Sequence, residues 1–310
     1  MTKKYPTDCH LHPDVQSAFR LGLPLVALES AVITHGLPYP ENLNAAMEME
    51  QLVRENGAVP ATVSLVDGIV KIGTSSEELE HLATGTLMMK VSARNLAIGI
   101  VKKRSGGTTV AATLNAAHKA EIKVFATGGI GGVHRGNAFD VSADLDALAE
   151  NPVIVVCAGA KSILDLPATL EALDTRGIPV LGYGTDDFPA FYTRASGLKV
   201  DARVDTPAEA AKIAQTHWNT GHRSAVIVAN PIPAEYELDG DEIEAVIQKA
   251  VSAAERQKVK GAELTPFILE EVKSATGGRS LQANLALLRN NAVLAANIAA
   301  HLYQAKTVSF

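Results

Sequence analysis

Six short apolar runs, at 25–28, 61–65, 124–126, 153–156, 180–182 and 225–228, alternate with stretches of helical periodicity. Several are almost continuously apolar, the pattern of strands covered on both faces in a parallel sheet. Parallel neighbours need crossover segments, and the helical stretches between the runs supply them. The expectation is therefore a layered α/β domain. In such sheets ligands bind beyond the carboxyl ends of the strands, so the residue types that follow each run carry most of the functional information.

The chain has 310 residues, of which 47% are hydrophobic and 20% charged, enough for a substantial core. No linker, low-complexity tract or internal repeat interrupts it, so residues 1–310 are read as one domain. Ser75 stands three residues before Glu78, a capping box that predicts a helix start. From about Asp239 to Lys306 the pattern is almost wholly helical. Its last run, Ser280 to Tyr303, is rich in Ala, Leu and Asn, and a helix apolar over so much of its surface is buried in the fold or against another subunit. A net charge of −6 argues against a nucleic-acid polymer as partner. No run is long enough to cross a bilayer, and the two lysines near the N-terminus have no apolar segment behind them. With only Cys9 and Cys157, no disulfide framework is expected, and a reducing cytoplasmic location fits best.

Lys161 ends the stretch NPVIVVCAGAK, just past a core strand, with an amphipathic helical segment expected from Ser162. An amine held against apolar walls loses solvation and becomes a candidate Schiff-base nucleophile. A lysine there also snorkels into water in many proteins. Glu29 directly follows the first long apolar run; apolar surroundings raise a carboxyl pKa and make a general acid. The alternative is a glutamate capping a backbone turn. His35, before Gly36 and a Pro-flanked loop, stays unassigned.

The run Thr127-Gly128-Gly129-Ile130-Gly131-Gly132 brings backbone amides close to a ligand but has neither dinucleotide nor P-loop spacing. After His134 and Arg135 come Asp140, Ser142 and Asp144, hard oxygen ligands suited to Mg²⁺ or Mn²⁺. The same residues also suit plain helix capping. Lys90 with Arg94, and the turn Ser105–Val110 leading into a helix, form a candidate phosphate grip. Asn230 follows the last strand, and Asn284 places an amide in the Ala/Leu-rich helix.

The motifs LVALES, TGGIGGVHRG, FDVSADL, VCAGAKSILDL, VANPIP and TPFILEEV, in this order from about Leu23 to Tyr303, resemble the pseudouridine-5'-phosphate glycosidase family. The resemblance implies a three-layer α/β/α fold with a central, mostly parallel mixed sheet and a helical C-terminal third. It implies reversible cleavage of the C–C glycosidic bond of pseudouridine 5'-phosphate to uracil and ribose 5-phosphate, one Mn²⁺ per subunit, and a homotrimer. On the same basis Lys161 is the covalent nucleophile, Glu29 the proton donor and Asp140 the metal ligand. Lys90, Val110, Ser142, Ala143 and Asp144 match substrate-binding positions, with Thr127, His134 and Asn284 as further pocket residues. The family's loop between His134 and Asp140 can be slightly longer than here. Two rivals remain: a Schiff-base lyase or aldolase of another sugar phosphate, and a non-catalytic sugar-phosphate sensor.

Overall fold

The structure, a computed structural model, describes residues 9–136, 139–259 and 264–307. Its strands are β1 (Cys9–Leu11), β2 (Leu25–Leu28), β3 (Val59–Val66), β4 (Ile69–Ile72), β5 (Met89–Val91), β6 (Gly106–Thr108), β7 (Val124–Ala126), β8 (Ile154–Cys157), β9 (Val180–Tyr183), β10 (Ala202–Val204) and β11 (Val226–Ala229). They join one sheet in the order β1-β4-β3-β2-β7-β8-β11-β9-β10, with β6 on β3 and β5 on β6. Only β3–β4 and β3–β6 are antiparallel. The mostly parallel α/β expectation holds. The central strands β2, β7, β8 and β11 are buried throughout, as their unbroken apolar sequences require.

Helices link these strands. They are α1 (Pro13–Leu21), α2 (Glu41–Glu55), α3 (Ser76–Thr84), α4 (Leu96–Val101), α5 (Val110–Lys119), α6 (Ala143–Glu150), α7 (Leu166–Thr175) and α8 (Pro207–Asn219). The C-terminal third is α9 (Gly240–Gln257), α10 (Leu264–Ala275) and α11 (Arg279–Thr307), as its pattern predicts. The capping box opens α3: Ser75 accepts from the Glu78 amide at 3.3 Å, and Glu78 accepts from the Ser75 amide at 3.0 Å. Helix α11 packs on β2, β7 and β8 and on α2 and α8, which explains its mostly apolar surface.

Two details place the site. From β2 the chain moves through α2 to β3 on one side, while from β7 it moves through α6 to β8 on the other. The strand order therefore reverses between β2 and β7, and a crevice opens beyond their carboxyl ends. β3 outruns β2: its first half pairs with β2 (Leu28 against Thr62), and beyond that β6 takes the vacated edge at Ser64 and Leu65. The segment 106–108, read from sequence as part of a glycine turn, is thus a short strand. Gly106 and Gly107 carry no side-chain periodicity to announce it.

Candidate active site

Glu29 is the first residue after β2 and Thr127 the first after β7; the two strands pair with Leu28 against Ala126. The Thr127 hydroxyl donates to Glu29 Oε1. Thr127 is itself held from behind: its carbonyl accepts from Asn291 Nδ2 at 2.8 Å, and Asn291 Oδ1 accepts from Asn230 Nδ2 at 3.0 Å. All four side chains are buried. A relay of amides thus ties the end of β11 through α11 to the end of β7.

Lys161 is placed by an irregular continuation of the β7–β8 ladder. Beyond the strands, the Ala158 amide donates to the Gly128 carbonyl at 2.8 Å, the Ile130 amide to Gly159 at 3.1 Å, and the Lys161 amide to Ile130 at 3.0 Å. Gly159 has φ +82°, and a Cβ there would lie 2.0 Å from the Pro189 carbonyl oxygen, so only glycine fits. The helix expected from Ser162 begins instead at Leu166. Asp165 caps it by accepting from the Ala168 amide at 3.0 Å, while Ser162 and Ile163 form a separate turn and Leu164 bridges His134. The apolar pattern of Ile163 and Leu164 reflects burial there, at 4% and 2% exposure, and not helical periodicity.

Glu29, Lys90, Lys161 and Asn284 line one cavity, with Thr109, His35, Gly128, Gly129, Phe191 and Leu288 among its walls. Burial raises the Glu29 carboxyl above its ordinary value; the Lys161 charge, the Thr127 hydroxyl and the Lys90 charge oppose the shift without cancelling it. Burial pushes the Lys90 ammonium down, and the neighbouring Lys161 charge pushes it further. An acid disposed to keep its proton therefore shares a mostly apolar cavity with two amines, an arrangement suited to acid-assisted attack on a polarised carbon.

Other residues marked by the sequence lie elsewhere. Val110 is wholly buried and opens α5; its neighbour Thr109 reaches the cavity, with a buried hydroxyl that has no partner among the described residues. Ser142 caps α6, accepting from the Asp144 amide at 3.2 Å, and Ala143 is exposed. Asp144 gives both carboxylate oxygens to backbone amides, Ala111 at 2.9 Å and Gly131 at 2.8 Å, and so pins the glycine turn to the start of α5. A Cβ on Gly131 would meet Ser142 Oγ at 2.2 Å, which explains a glycine there. Arg94 is exposed and outside the cavity wall.

His134 and Asp140 line a second cavity with Glu255 and Lys258, in contact with the first through Ile163. The Asp140 carboxylate is 56% exposed and 3.4 Å from His134 Nδ1. Asn137 and Ala138, in the loop between them, lie outside the described residues. Among the described residues no group of three or more His, Cys, Asp or Glu side chains is disposed to hold a metal ion. The donor set here is one open carboxylate.

Thr109 belongs to the Ser105–Val110 turn marked as a phosphate grip, whereas Phe191, Leu269, Leu288 and Asn291 are among the site residues the sequence did not mark. His35 sits on a π-helical turn, Val32–Gly36, that begins three residues after Glu29. Such turns gather at functional sites. Its Nδ1 is 2.6 Å from Thr34 Oγ1, and burial and Lys90 both lower its pKa.

A family model described as "Indigoidine synthase A like protein" matches residues 14–301. The chain belongs to that family. Proteins named pseudouridine-5'-phosphate glycosidase are similar to the chain over nearly its whole length. One, from Caldanaerobacter subterraneus subsp. tengcongensis, is 52% identical over 94% of this chain and 96% of its own. Another, from Solibacter usitatus, is 51% identical over 94% and 98%. In the solved structures, an indigoidine synthase A-like protein from Thermotoga maritima superposes with a TM-score of 0.89 at 35% identity, covering 98% of this chain and 99% of that one. The prealnumycin C-glycosynthase AlnA, solved with ribulose 5-phosphate, gives 0.90 at 33% identity, also covering 98% and 99%. The family's fold is thus the one found here. No described helix is long and apolar enough to cross a membrane.

Proposed function

We propose that this protein is a pseudouridine-5'-phosphate glycosidase, reversibly cleaving the C–C bond of pseudouridine 5'-phosphate to uracil and ribose 5-phosphate. The observation that carries the reading is the shared cavity of Glu29 and Lys161, in which the acid is biased toward its protonated form. The relatives that bear this name at about half identity over nearly the whole chain support it.

A C-glycoside offers the leaving group neither nitrogen nor oxygen to protonate, so the paired-carboxylate scheme of ordinary glycosidases lacks its handle. An amine supplies another route. Glu29 gives a proton to the ribose ring oxygen as the Lys161 amine attacks the anomeric carbon. The C–O bond breaks, a C–N bond forms, and the proton lost by nitrogen returns to the Glu29 carboxylate. Glu29 passes that proton to uracil C5, which draws the electrons of the C–C bond onto the base while the nitrogen lone pair forms an iminium with the sugar. Water adds to the iminium, releasing ribose 5-phosphate and the free amine. Lys90 and the unpartnered Thr109 hydroxyl, at the start of α5, are suited to hold the phosphate. Ser142 and Asp144 support that subsite by fixing the Gly131 turn against α5.

A divalent ion, Mn²⁺ in this proposal, would be held by Asp140 and several waters, since such ions commonly take one or two carboxylates. Its chemistry would be to order water and neutralise charge at the neighbouring edge of the pocket. The assembly proposed is a homotrimer, for which Leu87 and Val101, 82% and 79% exposed, offer apolar surface; light scattering measures it. The test of the function is incubation with pseudouridine 5'-phosphate and Mn²⁺ and assay for free uracil. Uracil is expected. Its absence from metal-replete protein overturns the reading, and consumption of a sugar-phosphate aldehyde or ketone instead moves the assignment to a Schiff-base lyase.

A further inference from the structure

Lys161 is followed by three buried residues, Ser162, Ile163 and Leu164, that belong neither to β8 nor to α7. Leu164 bridges His134, but among the described residues no backbone amide donates to the Ser162 or Leu164 carbonyl, and a buried carbonyl without a donor costs about 1–3 kcal/mol. One side chain supplies donors to both. Arg135 Nη2 donates to the Ser162 carbonyl at 3.0 Å, and Nε to the Leu164 carbonyl at 3.0 Å. The same guanidinium meets the Glu244 carboxylate on α9 through both Nη1 and Nη2, the latter at 3.0 Å. Gln248 Nε2 donates to Glu244 Oε1 at 3.0 Å, steadying the carboxylate from its own helix.

We propose that Arg135, anchored by Glu244, is a positioning residue that holds the turn carrying Lys161 at the orientation needed for attack. The proposal rests on the covalent role of Lys161 given above. The Arg135 and Glu244 side chains are 27% and 43% exposed, so their mutual attraction is screened and contributes modestly to stability. The larger effect is geometric. A planar fork with fixed N–H directions grips two carbonyls and a carboxylate at once, whereas the point charge of a lysine cannot. Misplacing a reacting group by about 1 Å costs on the order of 100-fold in rate. The clamp also couples the helical C-terminal third to the cavity, because α9 reaches the catalytic turn through this side chain.

The test compares wild type, Arg135→Lys and Glu244→Gln in three measurements: steady-state kinetics, borohydride trapping of the ribose 5-phosphate adduct, and hydrogen exchange across residues 158–165. In Arg135→Lys, kcat and the trapping rate fall by roughly 10- to 100-fold while KM changes little, and exchange in the segment accelerates. Glu244→Gln keeps an acceptor for the fork and shows the same pattern in weaker form; it also serves if Arg135→Lys does not fold. Unchanged kcat and exchange in either folded variant overturns the proposal, as does a rise in KM alone. No adduct in wild type overturns the covalent reading instead, and the exchange measurement then still decides whether Arg135 holds the turn.

Discussion

Thr127 donates its hydroxyl to the Glu29 carboxylate across the gap where the strand order reverses, joining the first residues beyond β2 and β7. A donor to a carboxylate favours the ionised form, so this contact holds down a pKa that burial raises. Thr127→Val removes the donor at nearly constant volume. The pH at which activity is lost on the alkaline side should move upward, because Glu29 must carry a proton to act as donor. Thr127→Ser should keep the wild-type profile. A pH series of kcat for the three proteins measures this.

The same shift has a thermodynamic side. A carboxyl raised above 4.5 on folding binds its proton more tightly in the native state. Its contribution to stability is complete below that value and is lost as pH rises through the folded pKa. Glu29→Gln has no such proton to lose. Its melting temperature should therefore gain on wild type as pH rises from about 4.5, a comparison made by calorimetry across pH.

The four central strands were legible because parallel strands buried on both faces leave unbroken apolar runs, and Glu29 and Lys161 were legible as the polar residues just beyond two of them. What the sequence hid depends on long-range contacts. β6 is nearly all glycine, and its pairing with β3 has no local signature. Ser162–Leu164 has the apolar spacing of a helix but is held as a turn by Arg135, 27 and 29 residues away. Asp144 reads as a ligand or a cap, and only the fold brings the Ala111 amide, 33 residues distant, to its oxygen. His134 and Asp140 sit close in sequence to the glycine turn, yet line a neighbouring cavity.

Lys161→Ala should abolish turnover while leaving the fold intact, since the half-buried lysine lies at the cavity wall and its removal opens no core. Intact-protein mass after borohydride treatment with ribose 5-phosphate should show a sugar adduct on wild type alone. An adduct of equal yield on the alanine variant assigns the nucleophile to another lysine, with Lys90 the first candidate because it shares the cavity.

Asp144→Ala strands two buried amides, Ala111 and Gly131, that now donate to a carboxylate. Hydrogen bonds to charged groups contribute about 1.5–3 kcal/mol each, so a loss of roughly 3 kcal/mol or more is expected by denaturant unfolding. The glycine turn and the start of α5 also part, so KM for the phosphorylated substrate should rise. Asp144→Asn keeps one acceptor and should fall between the two proteins in both measurements.

Asp140 offers the proposed ion one exposed carboxylate, and no described group of three side chains joins it. A hydrated ion held this way exchanges readily, because water supplies most of its ligands. Chelation should therefore lower activity reversibly, with full recovery on adding Mn²⁺. Asp140→Ala should require a higher Mn²⁺ concentration for half-maximal activity while still forming the Lys161 adduct, since the amine and acid occupy the other cavity. Titration of activity with Mn²⁺, paired with adduct mass for both proteins, separates the two effects. Loss of the adduct in folded Asp140→Ala would show that the carboxylate acts on the covalent step itself, and the metal's role would then have to move from the pocket edge to the reacting carbon.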